Sequence, residues 1–219
     1  GDLTVQASGF FRIREGVTAI TRDITVLGDL NVVGDIRMNN TVASTGMTLT
    51  IHGNVINTGS IDLSNTDSFI RTVFTSAANT SISGAGSTTE FASIEVDKGT
   101  SATSILEVTS SNFAIAQDPG LILTNGTFRL TTAATITASS TTLTIPSTAA
   151  LSANGGTINI GTGASNANDL TLNGELEVIT GTINIGNSAN ANSNDIEYAS
   201  IGTPIIDVQG GTLFVNGQI

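Results

Sequence analysis

Three consecutive hexads near the start of the chain, DITVLG, DLNVVG and DIRMNN at Asp23, Asp29 and Asp35, fix most of what this sequence can become. Each reads polar, apolar, polar, apolar, then a turn ending in Gly28, Gly34 or Asn40. Ile24 and Val26, Leu30 and Val32, and Ile36 and Met38 therefore point to one side, while Thr25, Asn31 and Arg37 point to the other. A period of two inside a period of six describes short strands separated by sharp bends. The run from Met47 to Leu63 continues it, with Gly53 and Gly59 again six apart.

A larger repeat occupies the last third. Gly-Thr-apolar-x-apolar recurs as GTFRL at Gly126, GTINI at Gly156 and Gly181, and GTLFV at Gly211, at offsets of 30, 25 and 30 residues. Each GTINIG copy is followed by an Asn/Ala/Ser-rich loop and then a strand, DLTLNG from Asp169 or NDIEY from Asn194. A short strand and a bend, repeated, close into a polygonal coil, and three sides of six to ten residues give coils of roughly 18–30 residues. Coils stack at ~4.8 Å, each strand bonding to its counterparts above and below. The expected fold is all-β, a single parallel β-helix (β-solenoid), turning right-handed. Its core is expected to contain Ile158, Ile160, Leu170, Leu172, Leu176, Val178, Ile183 and Ile185, alternating with outward Asn159, Thr171, Glu177 and Asn184. No single coil buries its own apolar face, so stacking makes the core.

Residues 1–16 are expected to form an N-terminal cap, because SGFFRIREG (Ser8 to Gly16) departs from the hexad pattern. Residues 17–219 are then one solenoid, with irregular coils over 65–120, where SFIRTVF, FASIEV, SILEV and NFAIA keep strand character without clean spacing.

Charge narrows the partners. Seven basic residues face 18 acidic ones, a net charge of −11, and no Lys or Arg follows Arg129. Such a surface repels the phosphates of nucleic acid and anionic lipid headgroups. No apolar run approaches the ~20 residues of a membrane span, so no membrane insertion is expected. The chain lacks Cys, which excludes a disulfide scaffold and cysteine-ligated zinc. It opens on Gly1 without a basic–apolar leader, as expected of a processed or excised segment.

Candidate chemistry is sparse. The sole His, His52 in TLTIHGN, falls at a strand end, where a solvated turn residue is the better reading than a catalytic base. Glu175 and Glu177 flank inward Leu176, and Glu95 and Asp97 flank Val96, so each pair faces outward side by side. A glycosidase pair sits across a cleft beside aromatic platforms, and this chain has no Trp and one Tyr. Neither catalytic nor cofactor-binding residues are expected. Asp169 and Asp195, beside Asn-rich loops, are the calcium candidates, although turn chemistry explains the Asn residues equally well. Sequons begin at Asn39, Asn79 and Asn125.

Strings such as ITVLGDLNVVGDI and GGTINIGTG with DLTLNG resemble the β-helical stretches of very large bacterial cell-surface proteins, adhesins and autotransporter passengers among them. The resemblance covers about two thirds of the chain. It implies extracellular display, length and stiffness. The expected function is a non-enzymatic extracellular structural or adhesive element, an adhesin stalk or a filament subunit. Its partners are neighbouring segments of a longer chain, surface glycans, or further copies stacked end to end on the last apolar rung, Leu213, Phe214 and Val215. A polysaccharide-binding or polysaccharide-processing β-helix and a phage tail-fibre segment are the alternatives.

Overall fold

The computed structural model describes residues 1–13, 23–38, 44–65, 68–163, 168–187, 194–198 and 202–219. Among them are 26 strands and no helix, as Thr-, Ile- and Val-rich strands with Gly and Asn at the bends require. The strands stack in parallel as a β-solenoid. The described exception is a short antiparallel pairing of Ser64–Asn65 with Ser68 and Phe69.

Each coil has three sides. The first face runs unbroken from Leu3–Val5 through Leu30–Val32, Val55–Asn57, Thr80–Ser83 and Ile105–Val108. It continues through the second half of Leu121–Leu130 to Ala149–Ala153, Glu175–Val178 and Ile205–Val208. The second face begins at Phe10–Ile13 and Asp35–Met38 and ends at Thr157–Ile160, Thr182–Ile185 and Thr212–Val215, carried by two successive sheets. The third face likewise passes from a sheet containing Ile24–Val26 and Ser68–Phe74 to one containing Leu143–Ile145, Asn168–Leu172 and Asn194–Tyr198.

The three hexads are three successive sides around the axis rather than three stacked rungs. Ile24–Val26 lies on the third face, Leu30–Val32 on the first and Asp35–Met38 on the second. The partner of each lies a full coil away: Ile24 pairs with Leu49, Leu30 with Val55 and Ile36 with Ile61. Coil length varies, from 21 residues between Ser139 and Ile160 to 30 between Leu176 and Ile206, inside the expected range. At the corners, glycine stands on glycine. A Cβ at Gly59 would collide with the carbonyl oxygen of Gly34 one coil earlier, so a side chain there would part the coils.

All eight residues expected in the C-terminal core are fully buried. Thr157, Thr182 and Thr212 form an outward ladder, and Asn184 donates through Nδ2 to Asn159 Oδ1 at 2.8 Å on the neighbouring rung. The GTFRL copy does not belong to that ladder. Gly126, at φ +87°, bends the long strand Leu121–Leu130 from the third face into the first, and Thr127 pairs with Ala150. Thr135 takes the position above Thr157 instead. Phe10–Ile13, within the segment expected to cap the solenoid, forms a regular rung on Asp35–Met38, while residues 14–16 lie outside the described ones. The irregular region holds the same sheets together with register shifts at Ser68/Ile70 and Val96/Asp97. Its core is an aromatic ladder: Phe74, Phe91, Phe113 and Phe128, with successive ring centroids 6.2, 6.1 and 6.3 Å apart.

Candidate functional site: an acidic column on the first face

Because side chains alternate along a strand, parallel register stacks every outward residue on its neighbours. On the first face, Ser81, Glu107, Arg129, Ser152, Glu177 and Asp207 fall into one column. Hydrogen bonds extend it toward the N-terminus. Asp2 Oδ1 accepts from the Asp29 amide at 2.9 Å, Asp29 Oδ1 from the Asn54 amide at 2.7 Å, and Asn54 Oδ1 from the Ser81 amide at 3.0 Å.

The column is densest at its C-terminal end. Glu177 Oε2 accepts from Ser152 Oγ at 2.6 Å and from Arg129 at 3.3 Å, and Glu177 Oε1 accepts from Gln209 at 3.3 Å. Gln209 also donates to Asp207 Oδ2 at 2.9 Å. Glu175 completes the group, and carboxylate oxygens of Glu175, Glu177 and Asp207 all lie within 4.8 Å of one another. Burial raises the Glu175 pKa, and the charges of Glu177 and Asp207 raise it further against the opposing pull of Arg129. These side-by-side carboxylates, partly neutralised by one guanidinium, can offer hard oxygen ligands to a divalent cation. They do not face each other across a cleft, which is the geometry glycoside hydrolysis uses.

The expected outward placement of Glu175 and Glu177 holds, but both are half-buried and Glu177 is engaged on each oxygen. On the third face, Glu95 pairs with Arg71 at 3.1 Å and accepts from Thr124 Oγ1 at 3.1 Å, while Asp97 accepts from Asn125 Nδ2 at 2.7 Å. His52 is a half-buried turn residue whose amide donates to Val26 O at 3.0 Å. Among the sequons, Asn79 is exposed and its Oδ1 accepts from the Ile105 amide, Asn125 is half-buried, and Asn39 lies outside the described residues.

Asp169 and Asp195 are opposite each other on adjacent rungs of the third face, and both are buried, at 2% and 1% exposure. Each packs against a glycine with positive φ, Gly161 (+66°) and Gly186 (+83°), at the end of the two GTINIG repeats. The motif is thus a glycine that leaves room for an aspartate arriving after the loop. A Cβ at Gly186 would overlap the Asp195 carboxylate in a backbone region that L residues avoid. Gly186→Ala should therefore destabilise by about 2–4 kcal/mol, read as a lowered denaturant midpoint.

Sequence reasoning missed Lys98, the one lysine. It is fully buried at the corner between the third and first faces, donating from Nζ to Thr80 Oγ1 at 2.9 Å and Thr75 O at 3.3 Å. Burial pushes its pKa down from 10.5 to about 8. The folded state therefore binds the proton less tightly than the unfolded chain. Stability should rise with pH between about 8 and 10.5, by up to about 3 kcal/mol. Lys98→Met should flatten that rise and should not lower the melting temperature at pH 7, as thermal melts across the window will show. A buried lysine carries no signal in a single sequence.

Comparison with family models, curated proteins and solved structures finds no match to the chain.

Proposed function

We propose that this chain is a non-enzymatic extracellular structural or adhesive β-solenoid, serving as the stalk of a cell-surface adhesin or as a subunit of an extracellular filament. The observation that supports this best is the first face, whose parallel ladder passes without interruption from Leu3 to Val208. Main-chain bonds along the axis and a core shared between coils give a repeat protein stiffness in one direction. Outward side chains are spent largely on bonding the rung above or below, as in the Asp2–Asp29–Asn54–Ser81 series.

The partner proposed for the axial direction is a further coil. Thr212–Val215 bonds to Thr182–Ile185 and continues the second face, with Leu213 and Val215 in register with the inward Ile183 and Ile185. Main-chain pairing between parallel coils needs little side-chain specificity. Calcium at Glu175, Glu177 and Asp207 and surface glycans are the proposed ligands of the flanks.

Polysaccharide processing is the second reading, favoured by the raised Glu175 pKa beside Glu177. An assay of the purified chain on a panel of polysaccharides decides between them. No chain cleavage is expected, whereas cleavage lost in Glu175→Gln or Glu177→Gln would sink the structural reading.

A further inference from the structure

The third face carries a groove of about 380 Å³ that the repeat pattern alone does not produce. Its floor is an outward column of Thr48, Arg71 and Ser93, in register on three successive rungs. One rung further, the register reaches Gly120, and the column is interrupted by the loop Gln117–Gly120, which rises as a wall. That wall is held from several sides. The Gln117 amide donates to Ala92 O, its Nε2 to Ser64 Oγ, and the Gly120 amide to Ala138 O. Asp118 accepts from the Ser140 amide at 2.8 Å and from the Ser140 hydroxyl. At the opposite end, three steps along the strand from Ser44 to Met47 face two from Ser68 to Ile70, a bulge centred near Gly46 at φ +86°. Bulges of this kind bend a sheet and re-aim the residues beside them.

The groove offers mixed chemistry. Arg71 has 47% of its side chain exposed and donates, the Asp118 carboxylate in the wall accepts, and the hydroxyls of Thr48 and Ser93 do both. Pro119 and Ile122 add apolar surface. One cation set against the carboxylates of Glu95 and Asp118, on a chain of net charge −11, disfavours anionic ligands. A saccharide hydroxyl needs a donor and an acceptor together, and Arg71 with Asp118 supplies both beside the apolar surface of Pro119 and Ile122. We propose that this groove binds one or two units of a neutral, hydroxyl-rich glycan. The inference deepens the adhesive part of the proposed function by naming its ligand class. Among the described residues no aromatic ring lines the groove, so a single site should bind weakly, with Kd on the order of 1 mM.

Saturation-transfer NMR and titration of the purified chain with neutral glucan, galactan and mannan oligosaccharides, beside uronate-containing ones, test it. At least one neutral series should bind, with Arg71→Ala weakening it about tenfold or more and Thr48→Trp abolishing it. Arg71 is a surface residue, so its variant should melt with the parent, and an unchanged melt shows that lost binding is local. No neutral binding up to roughly 10 mM sugar, a preference for uronates, or binding indifferent to both variants would overturn the proposal. The rod reading fails instead through polysaccharide cleavage or a lack of axial assembly, so the two failures are separable.

Discussion

Ile183→Asp is expected to melt the C-terminal coils while the N-terminal ones stay folded. Ile183 is fully buried between Ile158 on the rung before and Leu213 on the rung after, and no cation lies beyond Arg129 to compensate a carboxylate there. An unpaired charge in such a core costs about 4 kcal/mol or more even after its pKa rises. In a repeat architecture each coil contacts only its neighbours, so the damage should remain near its origin. Hydrogen exchange will show it: amides of 168–187 and 202–215 should lose protection, while those of Leu30–Val32 and Val55–Asn57 keep it.

Phe91→Ala should be costlier for the molecule as a whole. Phe91 is fully buried and touches both Phe74 (6.2 Å between centroids) and Phe113 (6.1 Å). Truncating a buried Phe costs about 3–5 kcal/mol, and this one also breaks a four-ring ladder in its middle. A chemical denaturation curve should show a reduced midpoint, and exchange should rise in the coils on both sides of residue 91. Phe91→Leu, which restores much of the volume, should recover more than half the loss.

The core was legible because its periodicity is local. Ile158 through Ile185 could be assigned inward from alternation alone, and alternation also placed Glu175 and Glu177 outward. What lies one coil away was not legible, because the distance from a residue to its partner varies between 21 and 30 residues. Arg129 reaches Glu177 across 48 residues, and nothing between them marks the meeting. The GTFRL copy misled for the same reason, since its match to GTINI is one of composition and its register is set by the bend at Gly126. Asn57 is another such case. It is fully buried, and its Nδ2 donates to Thr88 O at 2.7 Å and Thr89 Oγ1 at 2.9 Å, which makes a polar corner inside a strand that reads as ordinary.

Axial assembly tests the proposed structural role most directly. If coil stacks on coil between molecules at the register used within them, Asp2 of one copy continues the column beyond Asp207 of another, beside Glu175 and Glu177. Head-to-tail contact then brings like charges together, and salt or a divalent cation relieves it. Electron microscopy of the 219-residue chain over a wide concentration range, with and without calcium, reads this out. Unbranched filaments of constant width are expected, longer with calcium or at higher ionic strength, with a ~4.8 Å axial repeat on diffraction. Strictly monomeric particles at every concentration and in every salt would contradict that role.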